Sequence, residues 1–154
     1  MKWIGPLQGR NRIAAALYDG PDWRRFEPWE RLFLWFQGPG ERRARRKVLR
    51  YLPDRGSLRV LEVGIGAGAN VPLLAPDWEV HGVDFAGSRL EACASRFPEL
   101  RSRLIQAEAE SLPYGDSHFD AVFTVGAINY FRDPHAALSE MRAWPNRGRS
   151  DCRR

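Results

Sequence analysis

Cysteine is scarce: the 154 residues hold only Cys93 and Cys152. Two cysteines so far apart make neither a disulfide framework nor a zinc-ligand spacing. Cys93 falls in a predicted helix, where a buried, inert thiol is expected, and Cys152 falls in a polar stretch, where an exposed one is. Histidine is equally sparse, and His81, His118 and His135 share no ligand spacing, so no metal is expected. Long hydrophobic runs are missing too. None approaches the ~20 residues a bilayer crossing needs, so no membrane span is expected. The opening Met1-Lys2-Trp3-Ile4-Gly5-Pro6 lacks the apolar core of a secretory signal, and Ile13–Leu17 is too short to supply one. The expected location is therefore the cytoplasm.

Positive charge is present, but it is not spread evenly. The net charge is +5, and the stretch from Arg142 onward, with five arginines against one aspartate, carries most of it. A second basic cluster, Arg42-Arg43-Ala44-Arg45-Arg46-Lys47, is followed by Val48, Leu49 and Leu52. Ala44, Val48, Leu49 and Leu52 recur at helical spacing, so the basic residues are expected on a solvated helix face. No nucleic acid is expected as partner.

Aromatic residues crowd the first forty positions: Trp3, Tyr18, Trp23, Phe26, Trp29, Phe33, Trp35 and Phe36. Helices are predicted over 28–37 and 41–52, followed by a turn at 53–56. Beyond that the pattern alternates. Strands are predicted over 58–63, 79–84, 103–106 and 119–125. Helices are predicted from 69–74, over 88–96 and over 134–143, the last with Ala137, Leu138 and Met141 on one face. Strands alternating with helices imply βαβ units and a parallel sheet. Phe119, Ala121, Phe123 and Val125 on one side of the last strand, with Val122 on the other, suit a strand covered on both faces.

The chemistry concentrates in Val60-Leu61-Glu62-Val63-Gly64-Ile65-Gly66-Ala67-Gly68, between a predicted strand and a predicted helix. Glycines there let the backbone turn sharply and approach a ligand closely. Asp84 follows Gly64 by 20 positions, at the end of the second strand, where a carboxylate can accept hydrogen bonds from ribose hydroxyls. This pair indicates an adenosine-type ligand without saying which. Two further features narrow it. Glu62 sits inside a strand that should be buried, and burying a carboxylate is costly without a specific partner. The segment Glu108-Ala109-Glu110-Ser111-Leu112-Pro113-Tyr114, with Phe119-Asp120 after it, has no purpose in a nicotinamide-dinucleotide dehydrogenase.

These motifs resemble those of the class I S-adenosylmethionine (SAM)-dependent methyltransferases, especially the small-molecule group that includes the ubiquinone and menaquinone biosynthesis enzymes. The resemblance runs from about Tyr18 to Arg142. It implies an α/β, Rossmann-like, doubly wound and mostly parallel sheet, here of about four strands behind N-terminal helices. It also implies SAM as cofactor and a small-molecule methyl acceptor as partner. Carried over by residue, Glu62, Gly64, Ile65, Gly66 and Gly68 would shape the pocket for methionine and ribose. Asp84 would take the ribose hydroxyls and Phe85 would lie against adenine. Glu108 would accept from the adenine amino group, the Ala109 N–H would reach a ring nitrogen, and Val125, with Gly126, would close the pocket near the sulfonium. No general base stands out, so the catalytic residues are left unassigned. Asn129 and Tyr130 lie where an acceptor approaches in this fold.

After Glu140-Met141-Arg142 the family pattern continues into a Pro-Gly-Gly turn and further strands, whereas this chain runs into an arginine-rich stretch with no strand pattern. The expectation is a C-terminally truncated or frame-shifted product. It would comprise a helical lid over 1–57, a SAM-binding core over 58–142 and a disordered tail over 143–154. Its exposed fourth strand would be open to self-association. The alternatives are a SAM-binding fragment or regulatory partner without catalysis, an NAD-dependent oxidoreductase and a nucleic-acid binder.

Overall fold

A computed structural model describes residues 2–3, 40, 42–53, 56–115 and 118–143. The strands form one sheet: β1 (Lys2–Trp3), β2 (Arg59–Val63), β3 (Glu79–Asp84), β4 (Leu104–Gln106) and β5 (Ala121–Phe123). Their order is β1-β4-β3-β2-β5, and every pairing is parallel. The α-helices among the described residues are α1 (42–49), α2 (Gly87–Arg96) and α3 (Pro134–Ala143).

Strand β2 lies inside the sheet, between β3 and β5, and has no polar face to give to water. Its residues after Arg59 are all buried, including Glu62. Side chains alternate across a strand, so Val60 joins one core and Leu61 and Val63 join another. The first core collects Val80, Leu90, Cys93, Leu104, Ala121 and Phe123, with Leu49 and Leu52 packed on it. The second collects Val83, Ala107, Leu112, Phe119, Ala137 and Met141. Helices therefore cover both faces, which is the doubly wound arrangement the alternating pattern implied.

Several expectations need correction. The four expected strands all stand in the sheet, and a fifth, Lys2–Trp3, joins them by pairing with β4, Lys2 opposite Ile105. A two-residue strand is too short for any period-2 pattern to announce it. The helix expected over 69–74 is a single 3-10 turn, Val71–Leu73. The fourth predicted strand keeps only Ala121–Phe123. Phe119 precedes that regular strand and packs in the second core, whereas Ala121 and Phe123 pack in the first. Ala44 and Val48 are exposed, so α1 buries Leu49 but not all of its predicted stripe. Leu138 is 40% exposed while Ala137 and Met141 are buried. The predicted helix over 28–37 and Cys152 lie outside the described residues.

Phe119 is 1% exposed, and its ring meets those of His81 at 5.2 Å and Tyr114 at 4.7 Å, both edge to face. It thus joins the loop before β5 to β3. Phe119→Ala should lower unfolding free energy by about 3–5 kcal/mol. Chemical denaturation checks this, and a loss under about 1 kcal/mol would mean that the ring is not a core anchor.

Candidate functional site

The carboxyl ends of β2 and β3 converge on one crevice. In an open parallel sheet this is where ligands bind, because the loops there lead into helix starts. Gly64 N and Ile65 N both donate to Val83 O, at 2.7 and 3.1 Å, which folds the glycine loop back over the end of β3. Gly66 N then donates to Asp84 Oδ2 (2.8 Å), and Ala86 N donates to Asp84 Oδ1 (2.9 Å). One buried carboxylate thus holds both the loop and the entry to α2.

The loop glycines serve different ends. A side chain at Gly68 would collide with the Phe97 ring and Cys93 Sγ, at 2.7 and 2.9 Å, so this glycine lets α2 approach the loop. One at Gly64 would meet Ala127 Cβ at 2.2 Å, so this glycine admits the segment after β5. Gly66 has φ +53°, and a Cβ there would meet only Asp84 Oδ2, at 4.0 Å. Of the three, Gly66 alone keeps open space beside it. Ile65 is buried and its side chain lies against Gly82, so only its backbone faces the loop.

Glu62 is 1% exposed. Asn70 Nδ2 donates to its Oε1, while Oε2 has no partner among the described residues. Burial pushes its carboxyl up to about 8, against the opposing pull of the Asn70 hydrogen bond and the Arg45 charge, with Asp84 adding to the rise. Burial, with the Glu62 charge behind it, pushes the Cys93 thiol up to about 11. That suits the inert role expected of Cys93.

The crevice itself is narrow, about 20 Å³, between Val63, Asp84, Phe85, Ala109, Tyr130 and Phe131. Nucleotide-sized ligands need several hundred Å³, more than the crevice holds in this conformation. Phe85 and Ala109 line this crevice, as does Glu110. Glu110 Oε1 also accepts from Asp133 N (2.9 Å), just before α3. Glu108 is not among the lining residues, and its carboxylate lies 4.0 Å from Arg132 Nη2. Val125 offers its carbonyl to Arg45 rather than its side chain to the crevice. A larger recess of about 300 Å³ lies at the opposite, amino ends of the strands. Its Glu79 is bound by Arg59 (3.1 Å) and His81 (2.9 Å), and its Asp120 accepts from Arg59 N.

A family model described as a methyltransferase domain matches residues 60–148. The chain belongs to that methyltransferase family. It is 32% identical over 101 residues to a phosphatidylethanolamine N-methyltransferase of Cereibacter sphaeroides, covering 63% of this chain and 49% of that one. It is 35% identical over 105 residues to a demethylmenaquinone methyltransferase of Thermus thermophilus, covering 64% and 47%. The chain thus spans about half the length of these curated relatives. Among solved structures, the YcgJ protein of Bacillus subtilis matches with a TM-score of 0.61 at 28% identity, covering 68% of this chain and 46% of that one. The cyclase SpnF matches with a TM-score of 0.58 at 26% identity, covering 67% and 40%.

Sequence reasoning missed Arg45 and Asn70. Arg45 had been placed on a solvated face with its basic neighbours. Instead its Nη1 donates to Asn70 Oδ1 at 2.9 Å and to Val125 O at 3.4 Å. The signal was indirect: a buried Glu62 needed a partner, and an asparagine stands eight residues on.

The Glu62 carboxyl is protonated in the folded protein across a range where the unfolded chain's is ionised. Its contribution to stability is therefore full below about pH 4.5 and is lost as pH rises through about 8. Relative to Glu62→Gln, the parent should lose thermal stability between about pH 5 and pH 9. A constant difference between the two midpoints would mean that the carboxyl is ionised throughout.

Proposed function

We propose that this chain binds SAM in the crevice at the ends of β2 and β3, and that the protein transfers the SAM methyl group to a small molecule. The observation that carries this reading is the Asp84–Gly66 bond. It sets a carboxylate at a strand end beside a glycine with space around it, within a chain of the methyltransferase family. The residues fit an adenosine with an amino-acid arm. Each oxygen of Asp84 can accept more than one hydrogen bond, which leaves capacity for ribose hydroxyls. Glu62 Oε2, buried and without a partner among the described residues, suits an ammonium group. Phe85 and Ala109 both line the crevice, and in this reading the Phe85 ring meets adenine and the Ala109 N–H a ring nitrogen. Glu108 takes the adenine amino group only by loosening its contact with Arg132.

When bound, SAM supplies an electrophilic methyl group. The chain's own contribution is to hold that group in line with the acceptor and to exclude water, from which much of the acceleration arises. A general base is required only where the acceptor must lose a proton, and the site singles out none. The lid over 1–57, the core over 58–142 and the tail over 143–154 belong to the same proposal, as does a cytoplasmic location. Among the described residues no helix is long and apolar enough to cross a membrane.

Calorimetry with SAM and with NAD tests the ligand. SAM should bind and NAD should not, and the reverse would return the chain to dinucleotide chemistry. Asp84→Ala should weaken SAM binding by about 1.5–3 kcal/mol, the scale of hydrogen bonds to a charged group. A variant that binds as tightly as the parent would place the ribose elsewhere. For transfer, radiolabelled SAM would be offered with phosphatidylethanolamine, a demethylated quinone and an acyl-carrier-protein ester, the substrates the relatives' names supply. Label in any of them supports methyl transfer, and binding without transfer to any would favour a non-catalytic role.

The outer side of β5 has no partner strand among the described residues. Unpaired backbone groups on such an edge recruit other strands, so we propose that the 154-residue chain self-associates there. Sedimentation should show concentration-dependent oligomers, and a monomer at all concentrations would remove the idea.

A further inference from the structure

Arg45 is the one member of its basic cluster that turns inward. Arg42, Arg43, Arg46 and Lys47 are exposed, while Arg45 is half-buried. Its Nη1 joins two separate segments at once. It donates to Asn70 Oδ1 on the glycine-loop side (2.9 Å) and to Val125 O at the end of β5 (3.4 Å). Its Nη2 stands 3.4 Å from where a Gly126 side chain would begin, so the glycine makes room for the guanidinium. By holding the Asn70 oxygen, Arg45 fixes which end of that amide faces Glu62. The nitrogen end then donates to Glu62 Oε1, and Oε2 is left as a buried acceptor with no partner among the described residues. Were the amide reversed, the hydrogen bond from Nδ2 to Glu62 Oε1 would be lost.

We propose that Arg45 is a positioning residue. Acting through Asn70, it orients Glu62 for the ligand's cationic end and so makes ligand capture depend on α1 being seated against the crevice. The ligand part of this rests on the SAM reading, whereas the effect on Glu62 does not. Around Glu62 the charged and titratable groups are Arg45 from α1, Asp84 from β3 and Cys93 from α2.

Two measurements on the full chain test it. Carbon-13 NMR of the Glu62 carboxyl without ligand should show its titration midpoint rising in Arg45→Met and in Asn70→Ala, and returning most of the way toward the parent value in Arg45→Lys. A role confined to fold stability would lower the unfolding temperature and leave that midpoint in place. SAM affinity should fall about tenfold or more in Arg45→Met, the scale of losing a charge-assisted hydrogen bond. Arg45→Met/Asn70→Ala should bind no more weakly than the worse single variant, since both changes cut one relay. Should Arg45→Met fail to fold, Arg45→Gln removes the charge and keeps a donor, and a smaller rise of the same midpoint is expected. An unchanged Glu62 midpoint, or losses that simply add, would overturn the proposal. If the parent binds no SAM, the functional reading fails, and the Glu62 midpoint still decides the role of Arg45.

Discussion

A single carboxylate organises this end of the molecule. Asp84 takes the Gly66 N–H on one oxygen and the Ala86 N–H on the other, so the glycine loop, the end of β3 and the start of α2 share one anchor. A loop with three glycines at positive φ would otherwise sample many shapes, since glycine surrenders more backbone freedom on folding than any other residue. Hydrogen bonds to an ionised acceptor are stronger than neutral ones. The bond to Gly66 is therefore well suited to offset that entropy.

Much of this was legible in the sequence because burial has a period. The strand over Glu79–Asp84 and the helix over Pro134–Ala143 follow from apolar spacing and flanking turns, and both stand where expected. The strand before the glycine loop was equally plain. Other features left no such trace. Lys2–Trp3 joins the sheet through backbone bonds that any two residues could make. The inward turn of Arg45 depends on Asn70 and Val125, which lie 25 and 80 residues away. The spacing of α1 with its neighbours describes only a face, and five adjacent basic residues look alike until a distant partner distinguishes one. Leu138 satisfied the helical pattern and still faces outward, because the pattern does not say how wide the covering surface is.

The glycine signature also says less about ligand contact than its regularity suggests. Gly68 answers to Phe97 and Cys93, and Gly64 to Ala127, while Gly66 alone keeps open space beside it. Two of three positions in the motif thus serve packing between elements. This bears on how far a shared loop predicts shared chemistry: SpnF, a cyclase, has the same fold at 26% identity, and function on a common fold resides in the site.

The strand order has a temporal side. β1 pairs with β4, Lys2 against Ile105, so β1 leaves the ribosome about 100 residues before its partner. At ordinary synthesis speeds of about 5–20 residues per second that interval is roughly 5–20 seconds. Closing so long a loop carries an entropic cost before any contact repays it. β1, at one edge of the described sheet, is thus expected to dock late, on a core of β2, β3 and β4 that has already formed.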